Sequence, residues 1–332
     1  MDGFNFTPLL PAGLIQCSRM IGMPAYIGKR LLQSIPVLLG VSFVTYLLIF
    51  AVAGNPARLA LGVRGDQATV ESLQREMGLD DPLLVQYTRF VWRALQGDLG
   101  RSFSTGNQVL PAIWERFPAT LRLGLLALGV SMFIGIPLGL ISAVFRNRWP
   151  DHALRVLALL GISTPSFFLG VILAWVLGYW LNLTPISGYA EGLEGVPYYI
   201  LPVIALSLGP IAVFSRLTRS SVLDVMEADY IRAARARGLT PLPLLAKHVL
   251  KNALIPVITT IGGALATLLS GAFFIEFIFN WPGIGLLAVD AIDQYDIPMV
   301  QGTVMFSAIL FVLANILVDL AYTWADPRVR LQ

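Results

Sequence analysis

Long apolar segments separated by short charged stretches dominate the pattern of this chain. A helix of about 20 residues spans the roughly 30 Å of hydrocarbon in a bilayer. It also pairs all of its own backbone polar groups, as lipid requires. The pattern therefore predicts six transmembrane helices, at 31–54, 119–145, 156–183, 198–215, 253–275 and 302–324.

Composition agrees with this pattern. The 332 residues are 56% hydrophobic and 13% charged, whereas a soluble domain is about 25% charged. We therefore predict an all-α integral membrane protein. Its basic residues lie between apolar segments rather than on one face, so no nucleic-acid partner is expected. The single cysteine, Cys17, allows neither an intrachain disulfide nor a Cys-based metal site, and we expect no metal.

The distribution of Lys and Arg predicts the orientation. These residues occur before the first span, after the second, after the fourth and at the C-terminus, whereas 184–197 and 276–301 contain none. The loop 55–118 has seven Arg, but it also has seven acidic residues and is long, so the rule counts it weakly. The positive-inside rule then places both termini in the cytoplasm. Residues 1–22 are weakly patterned, lack the features of a cleavable signal peptide and are expected to be an optional extension.

The predicted spans and orientation divide the chain into four parts. They are a cytoplasmic segment 1–28, a first transmembrane helix 29–54, an extracytoplasmic loop 55–118, and a five-helix core 119–332 that includes a cytoplasmic loop 216–252. Within the first loop, short amphipathic helices are predicted at 67–76 and 83–95, separated by Gly78 and Pro82.

The loop 216–252 contains a further predicted helix, with the sequence EADYIRAARARG at 227–238. Its acidic residues come first and its basic residues last, which complements the helix dipole. Gly238 suits a left-handed C-cap. Two interpretations stay open, a helix on the lipid headgroups or a docking helix for a partner. The candidate docking residues are Glu227, Ala228, Asp229, Tyr230, Ile231, Arg232, Ala233, Ala234, Arg235, Arg237 and Gly238.

This helix resembles the cytoplasmic loop of binding-protein-dependent ABC importer permeases, whose pattern is E-A-A, three residues and Gly. Here RAARARG at 232–238 occupies that frame, with Arg232 where Glu is usual. That departure, together with HVLKNALIP at 248–256, resembles the dipeptide, oligopeptide, glutathione and nickel branch, and within it the first permease subunit. Further similar motifs are GDLG at 97–100, NWPGIG at 280–285, DIP at 296–298 and DPR at 326–328.

The resemblance implies a type I ABC importer permease fold in the bacterial cytoplasmic (inner) membrane. It implies that 227–238 is the coupling helix, and that peptides or glutathione from an extracytoplasmic solute-binding protein cross by ATP-driven alternating access. The implied partners are a second homologous permease, two cytoplasmic ATPase subunits, the binding protein and membrane lipid. The chain lacks a G-x-x-x-x-G-K-[ST] motif. It is therefore not expected to be an enzyme or to hold a cofactor, and ATP and Mg are expected in the partner subunits.

Polar groups at membrane depth are candidates for the translocation path. They are Ser163, Thr164, Ser166, Glu276, Asn315 and Asp319. The hydroxyls flank Pro165, which interrupts the third span. For Asn315 and Asp319, four residues apart on one helix face, we favour an interhelical hydrogen bond over substrate contact. For Glu276 we favour a solvated helix end.

Two alternatives remain. An ion-gradient-driven secondary transporter would place paired ionisable groups deep in the bundle, and only Asp319 and Arg122 qualify. A permease of the same ABC class could instead carry nickel chelates or another non-peptide solute. Co-purification with an ATPase would separate the two classes of transporter.

Overall fold

In a computed structural model, residues 12–53, 58, 66–76, 80–240 and 243–325 are described, with only the backbone described at 12–27, 49–53, 73, 76, 270, 271, 319 and 321–325. This part of the chain is helical, without a strand. Its helices are α1 (Ala12–Ala53), α2 (Gln67–Glu76), α3 (Leu83–Leu95), α4 (Val109–Val144), α5 (Trp149–Ser163), α6 (Ser166–Trp180), a 3-10 turn (Gly192–Gly195), α7 (Val196–Met226), α8 (Asp229–Ala236), α9 (Leu244–Ala253), α10 (Ile255–Ile278), α11 (Ile284–Asp293) and α12 (Ile297–Ala325).

Four helical stretches of the described residues are long and apolar enough to cross a membrane. They are Gly28–Leu48, Val109–Val144, Gly192–Met226 and Ile297–Val318. Two further pairs of consecutive helices are long and apolar enough only when each pair is taken as one span. They are α5 with α6, bent by 101°, and α9 with α10, bent by 47°. Counting each pair as one span gives up to six spans. The six apolar segments of the sequence correspond to these four helices and two pairs.

Several helices extend beyond the apolar segments that predicted them, among them α4 and α7. α4 begins at Val109 rather than at 119, and α7 continues to Met226 rather than ending at 215. Parts of the predicted loops 55–118 and 216–252 are therefore helical. Hydropathy shows where the membrane ends, but a helix continues into water wherever charged residues with good helix propensity follow, such as Arg216 and Arg219.

The helices α2 and α3 have the bounds predicted from the sequence. Polar side chains hold α3 against α1. The Tyr46 hydroxyl donates to Gln86 Oε1 at 2.7 Å, and the hydroxyls of Ser42 and Tyr87 are 2.9 Å apart. The helix α3 of the first loop is thus packed on the first long helix.

Close backbone approach defines the packing of α4 on α7. A Cβ added at Gly139 would lie 2.4 Å from the carbonyl oxygen of Ser215, and one at Gly135 would lie 2.8 Å from that of Ile211. No larger residue fits without moving a helix, as is common where small residues form helix contacts in membranes. α4 and α7 therefore form the central pair of the bundle.

Two buried clusters lie at opposite ends of α4. The first is formed around Val109 and Ile113 at the start of α4, with Leu99, Ile284 and Val300. The second is formed around Ala143 at its end, with Val222, Ile231, Leu244 and Val249. At 1.5 Å per residue the two ends of α4 are about 50 Å apart. We call them the α11 end and the α8 end of the bundle.

Candidate functional site

The helix that follows α7 forms the candidate docking site. α7 ends at Met226, Ala228 adopts an extended conformation (φ −68°, ψ 147°), and α8 begins at Asp229. The sequence predicted a helix from Glu227, but Glu227 is the C-cap of α7 and Ala228 the N-cap of α8. The extended Ala228 separates the two helices, and α8 therefore leaves the bundle as an element of its own.

Ile231 is the buried residue of α8 and packs this helix against the bundle. The Ile231 side chain is fully buried (0% exposed) against the ends of α4, α7 and α9. Ala234, one turn later, is half-buried against the same cluster. Because residues three apart share a helix face, Ile231 and Ala234 form a narrow apolar stripe. A displacement of α8 would therefore act on three helices at once.

The remaining surface of α8 faces away from the protein and is charged. Arg232, Arg235 and Arg237 are exposed, as is Ala233 between them. Arg232 pairs with Asp229 at 2.8 Å on the helix surface. Such an exposed pair contributes at most about 1 kcal/mol, so these groups can exchange partners readily. The surface offers small and basic residues to a partner.

Two polar contacts connect α8 and the preceding C-cap of α7 to their surroundings. Glu227 accepts a hydrogen bond from Arg146 in the α4–α5 loop at 2.9 Å. Asn252 in α9 donates to the Tyr230 hydroxyl at 2.8 Å. The second contact joins α8 to the segment that leads directly into α10.

Gly238 ends α8 as the sequence predicted. Its φ is +83°, in the left-handed region, and its N–H donates to the carbonyl of Arg235 at 3.0 Å. A residue with a Cβ is strained there although no atom lies within 4 Å of that position. The glycine therefore serves the backbone turn and not a close contact.

A buried ion pair near α8 was missed by the sequence analysis. Asp151 in α5 is fully buried and receives both Nε and Nη2 of Arg219 from α7, at 2.7 and 2.9 Å. The two residues are far apart in sequence, so only the fold reveals the pair. The available signal was an acidic residue among the arginines of a predicted cytoplasmic loop.

The hydroxyl candidates of the third span lie at a sharp change of direction. α5 ends at Ser163, Thr164 and Pro165 are extended, and α6 starts at Ser166 after a turn of 101°. Pro165 has no N–H to continue the helix. The Thr164 hydroxyl donates to the carbonyl of Leu160 at 2.7 Å, and Ser163 is exposed. The predicted interruption is confirmed, and it is a break between two helices.

The prediction of a solvated helix end at Glu276 is wrong. Its side chain is fully buried (0% exposed), and Oε2 accepts the N–H groups of Gly285 and Leu286 at 2.6 and 3.4 Å. These donors belong to the first turn of α11, where an anion is favoured. The segment 280–285 folds back onto α10 and covers the carboxylate, so Glu276 fixes α11 rather than meeting solvent.

Tight packing explains the NWPGIG motif. Trp281 is fully buried and donates from Nε1 to the carbonyl of Ala119 on α4 at 3.1 Å. A Cβ at Gly283 would lie 2.3 Å from the Glu276 carboxylate, and one at Gly285 would lie 2.4 Å from Cα of Phe273. The motif therefore holds α11 against α10 and α4 at the α11 end.

A second buried carboxylate at the α11 end joins two motifs that are distant in sequence. Asp296, 1% exposed, accepts hydrogen bonds from the Ser102 hydroxyl, from Phe103 N at 3.0 Å and from Ser104 Oγ at 2.9 Å. It also accepts Met299 N at 3.3 Å, at the start of α12. The turn after GDLG is thereby fixed to the first turn of α12.

The polar candidates of the last span are only partly described. Asn315 donates from Nδ2 to the carbonyl of Phe311 on its own helix at 2.8 Å. This contact replaces the interhelical hydrogen bond that the sequence favoured. The side chain of Asp319 lies outside the described residues. No group of three or more His, Cys, Asp or Glu side chains in the described part of the chain could hold a metal ion.

The geometry thus defines a class of protein, an α-helical protein with several membrane-spanning helices and a short basic helix at one end. Comparison with known families narrows this class. Residues 135–331 match the family described as "Binding-protein-dependent transport system inner membrane component", and residues 23–124 match the corresponding N-terminal family. The chain belongs to this family of multi-pass inner-membrane permeases.

Several relatives have extensive similarity to this chain. A protein of Brucella abortus (strain 2308) named for a peptide transport system permease is 42% identical over 312 residues, 93% of this chain and 99% of that protein. The glutathione transport system permease GsiC of Salmonella paratyphi A is 39% identical, covering 92% and 98% of the two chains. The dipeptide transport system permease DppB of Alkalihalophilus pseudofirmus is 37% identical, covering 93% and 100%.

Solved structures share the fold. A chain of the MetNI methionine ABC transporter in an inward-facing conformation matches with a TM-score of 0.52 at 18% identity, covering 66% of this chain and 96% of that one. A chain from the crystal structure of an amino acid ABC transporter with histidines matches with a TM-score of 0.50 at 15% identity, covering 64% and 94%. The fold is therefore that of ABC importer permeases.

Proposed function

We propose that this chain is the permease subunit of an ATP-binding-cassette importer that translocates peptides, including small ones such as glutathione, by alternating access. The observation that carries the proposal is α8 itself. It presents a basic, small-residue surface outward, while Ile231 connects it to the ends of α4, α7 and α9. A helix with this arrangement can receive force from a partner and pass it to the membrane helices.

The proposal assigns ATP hydrolysis to separate subunits. The chain has no phosphate-binding G-x-x-x-x-G-K-[ST] motif. ATP binding by two such subunits must change the relative free energy of two bundle conformations, because a ligand shifts only an equilibrium whose states it binds differently. In the proposed mechanism, the exposed residues of α8 dock on an ATPase subunit in the cytoplasm, and ATP-driven closure displaces α8.

Two contacts favour transmission from α8 to the bundle. Ile231 contacts the cluster at the ends of α4 and α7. Tyr230 accepts the hydrogen bond of Asn252, just before α10. α10 extends from there to Glu276, which binds α11. Displacement of α8 would thus reach the opposite end of the bundle through α9 and, beyond the 47° bend, through α10.

The remaining partners are proposed on similar grounds. A second homologous permease would complete the pathway, and a solute-binding protein would deliver the peptide at the α11 end. On this chain the loop 55–118 is the natural contributor to that docking face. An open groove of about 320 Å³ lies there, lined among others by Asp98, Leu99 and Trp114. The peptide class is inferred from the names of the peptide, glutathione and dipeptide relatives.

Enlarging the exposed surface of α8 tests the proposal. Ala233→Trp adds bulk at an exposed position and leaves the Ile231 packing intact. In proteoliposomes with all partners, we expect wild-type protein to take up peptide with ATP, and the variant to lose both the co-purifying ATPase and uptake. Ala153→Trp, at an exposed position of α5, is the matched control. Failure of ATP to drive uptake of any tested peptide by the wild-type complex would overturn the proposal.

A further inference from the structure

A buried polar contact at the α8 end connects three helices through one carboxylate. Asp151, in the first turn of α5, accepts Arg219 Nε on Oδ1 at 2.7 Å and Nη2 on Oδ2 at 2.9 Å. The Ser142 hydroxyl of α4 donates to Oδ1 at 2.6 Å, and Asn147 N in the intervening loop donates to Oδ2 at 2.9 Å. Both carboxylate oxygens are thus paired, in the two-pronged geometry that fixes distance and direction together.

Stability alone does not account for this pair. The Asp151 side chain is fully buried and that of Arg219 is 20% exposed. Removing such charges from water is costly, and well-packed apolar residues in their place are often equally or more stabilising. A two-pronged ionic contact adds a directional constraint on the two helices that apolar groups in its place would lack. The pair therefore fits a positional role for α5 on α7.

A second contact holds the other end of α5 against the same helix. A Cβ added at Gly161 would lie 3.2 Å from the carbonyl oxygen of Leu208 and 3.3 Å from Cβ of Ala212, both on α7. Directly after Gly161, α5 ends and the chain turns by 101° into α6. α5 is therefore in contact with α7 at both of its ends. The end near Gly161 determines where the helix break lies.

The same region leads into α8. Arg219 lies in the last turns of α7, which continues to Met226 and then through Glu227 to α8. Arg146, in the loop before α5, pairs with Glu227 at 2.9 Å. Movement of α8 that shifts the end of α7 must consequently move Arg219, and with it Asp151.

We propose that the Asp151–Arg219 pair is a positioning pair that transmits displacement of α8 to α5 and so to the helix break at 164–165. This inference rests on the proposed function, in which α8 docks on the ATPase. It assigns α5 and the break to the part of the permease that moves with ATP. The pair contacts neither the peptide nor the nucleotide in this role.

The test is the number of peptides transported per ATP hydrolysed by the complete reconstituted complex. Asp151→Asn keeps the shape of the side chain but removes the ionic contact to Arg219. We expect ATP hydrolysis and subunit assembly to continue while transported peptide per ATP falls about tenfold or more, within the usual range of coupling between two sites. The matched control is Ser207→Ala, which removes a buried hydroxyl of α7 bonded to Ala127 O and Val203 O and leaves α5 untouched.

A second variant separates position from stability. Asp151→Leu combined with Arg219→Met replaces the pair by apolar groups and should restore any lost thermal stability. We expect it to stay uncoupled. If these variants do not assemble, Arg219→Lys replaces them in the test. It keeps the charge and loses the two-pronged contact, and we again expect transported peptide per ATP to fall. Wild-type transport per ATP in an assembled variant overturns the inference. Absence of ATP-driven uptake in the wild-type complex would instead contradict the proposed function.

Discussion

Truncation of Ile231 perturbs the single buried side chain of α8. Ile231→Ala removes apolar atoms from a site with 0% exposure, enclosed by the cluster of Ala143, Val222, Leu244 and Val249. Such truncations cost about 2–5 kcal/mol, because contacts are lost and a cavity remains. Since the cluster itself is held by the long helices α4 and α7 and by α9, we expect the loss to appear as local detachment of α8 rather than as global unfolding.

The magnitude makes the prediction measurable. A loss of about 3 kcal/mol raises the detached population of α8 roughly a hundredfold. Amide hydrogen exchange of segment 229–236 in a lipid nanodisc should accelerate by a similar factor. Ile231→Val, which costs about 0.5–1.5 kcal/mol, should give a smaller acceleration. Leu193→Ala, at a position 90% exposed, is the control for truncation without burial.

Peptide uptake should depend on the attachment of α8 in the same way. In the complete complex, ATP hydrolysis should persist in Ile231→Ala while peptide uptake falls, because α8 still binds the ATPase but no longer moves the bundle. Unchanged exchange of 229–236 in Ile231→Ala would refute the reasoning, since the attachment would then lie elsewhere. Equal acceleration by Leu193→Ala would refute it as well.

The remaining predictions concern the α11 end. Gly285→Ala places a Cβ 2.4 Å from Cα of Phe273, whereas Gly263→Ala on α10 meets nothing within 4 Å. We expect overpacking by Gly285→Ala to destabilise the protein by about 1–3 kcal/mol and so to lower its thermal unfolding midpoint in detergent. Gly263→Ala should leave the midpoint unchanged. The reverse order would contradict the packing of α11. Asp296→Asn removes acceptors for the turn at 102–104 and leaves buried donors unpaired, at about 1–3 kcal/mol each. Limited proteolysis of that turn should become faster, whereas Asp293→Asn, at an exposed position, should not change it; equal rates would count against the contact.

Features set by local chemistry could be predicted from the sequence. Pro82 is the N-cap of α3, and α2 and α3 have the predicted bounds. Gly238 adopts the expected left-handed conformation because nothing but the local backbone determines it. Pro165 interrupts the third span as expected, although its sequence position carries no information about the angle of the turn.

Features set by distant segments could not be predicted. Glu276 looked like a helix end near water, but the segment 280–285 returns over it and supplies its hydrogen-bond donors. The partners of Asp151 are on α4 and α7, and those of Asp296 precede α4. Burial of a carboxylate depends on which segments pack over it, and a single sequence does not give that packing.

The central claim is that α8 faces the cytoplasm and contacts the ATPase, and thiol chemistry at its surface tests this most directly. In a Cys17→Ser background, Ala233→Cys places a thiol on the exposed face of α8, and Thr105→Cys places one on the exposed turn at the α11 end. We predict that a membrane-impermeant reagent modifies the first in inverted vesicles alone and the second in right-side-out cells alone, and that ATPase subunits protect the first. Modification of Ala233→Cys from outside the cell, or no protection by the ATPase, would contradict the account.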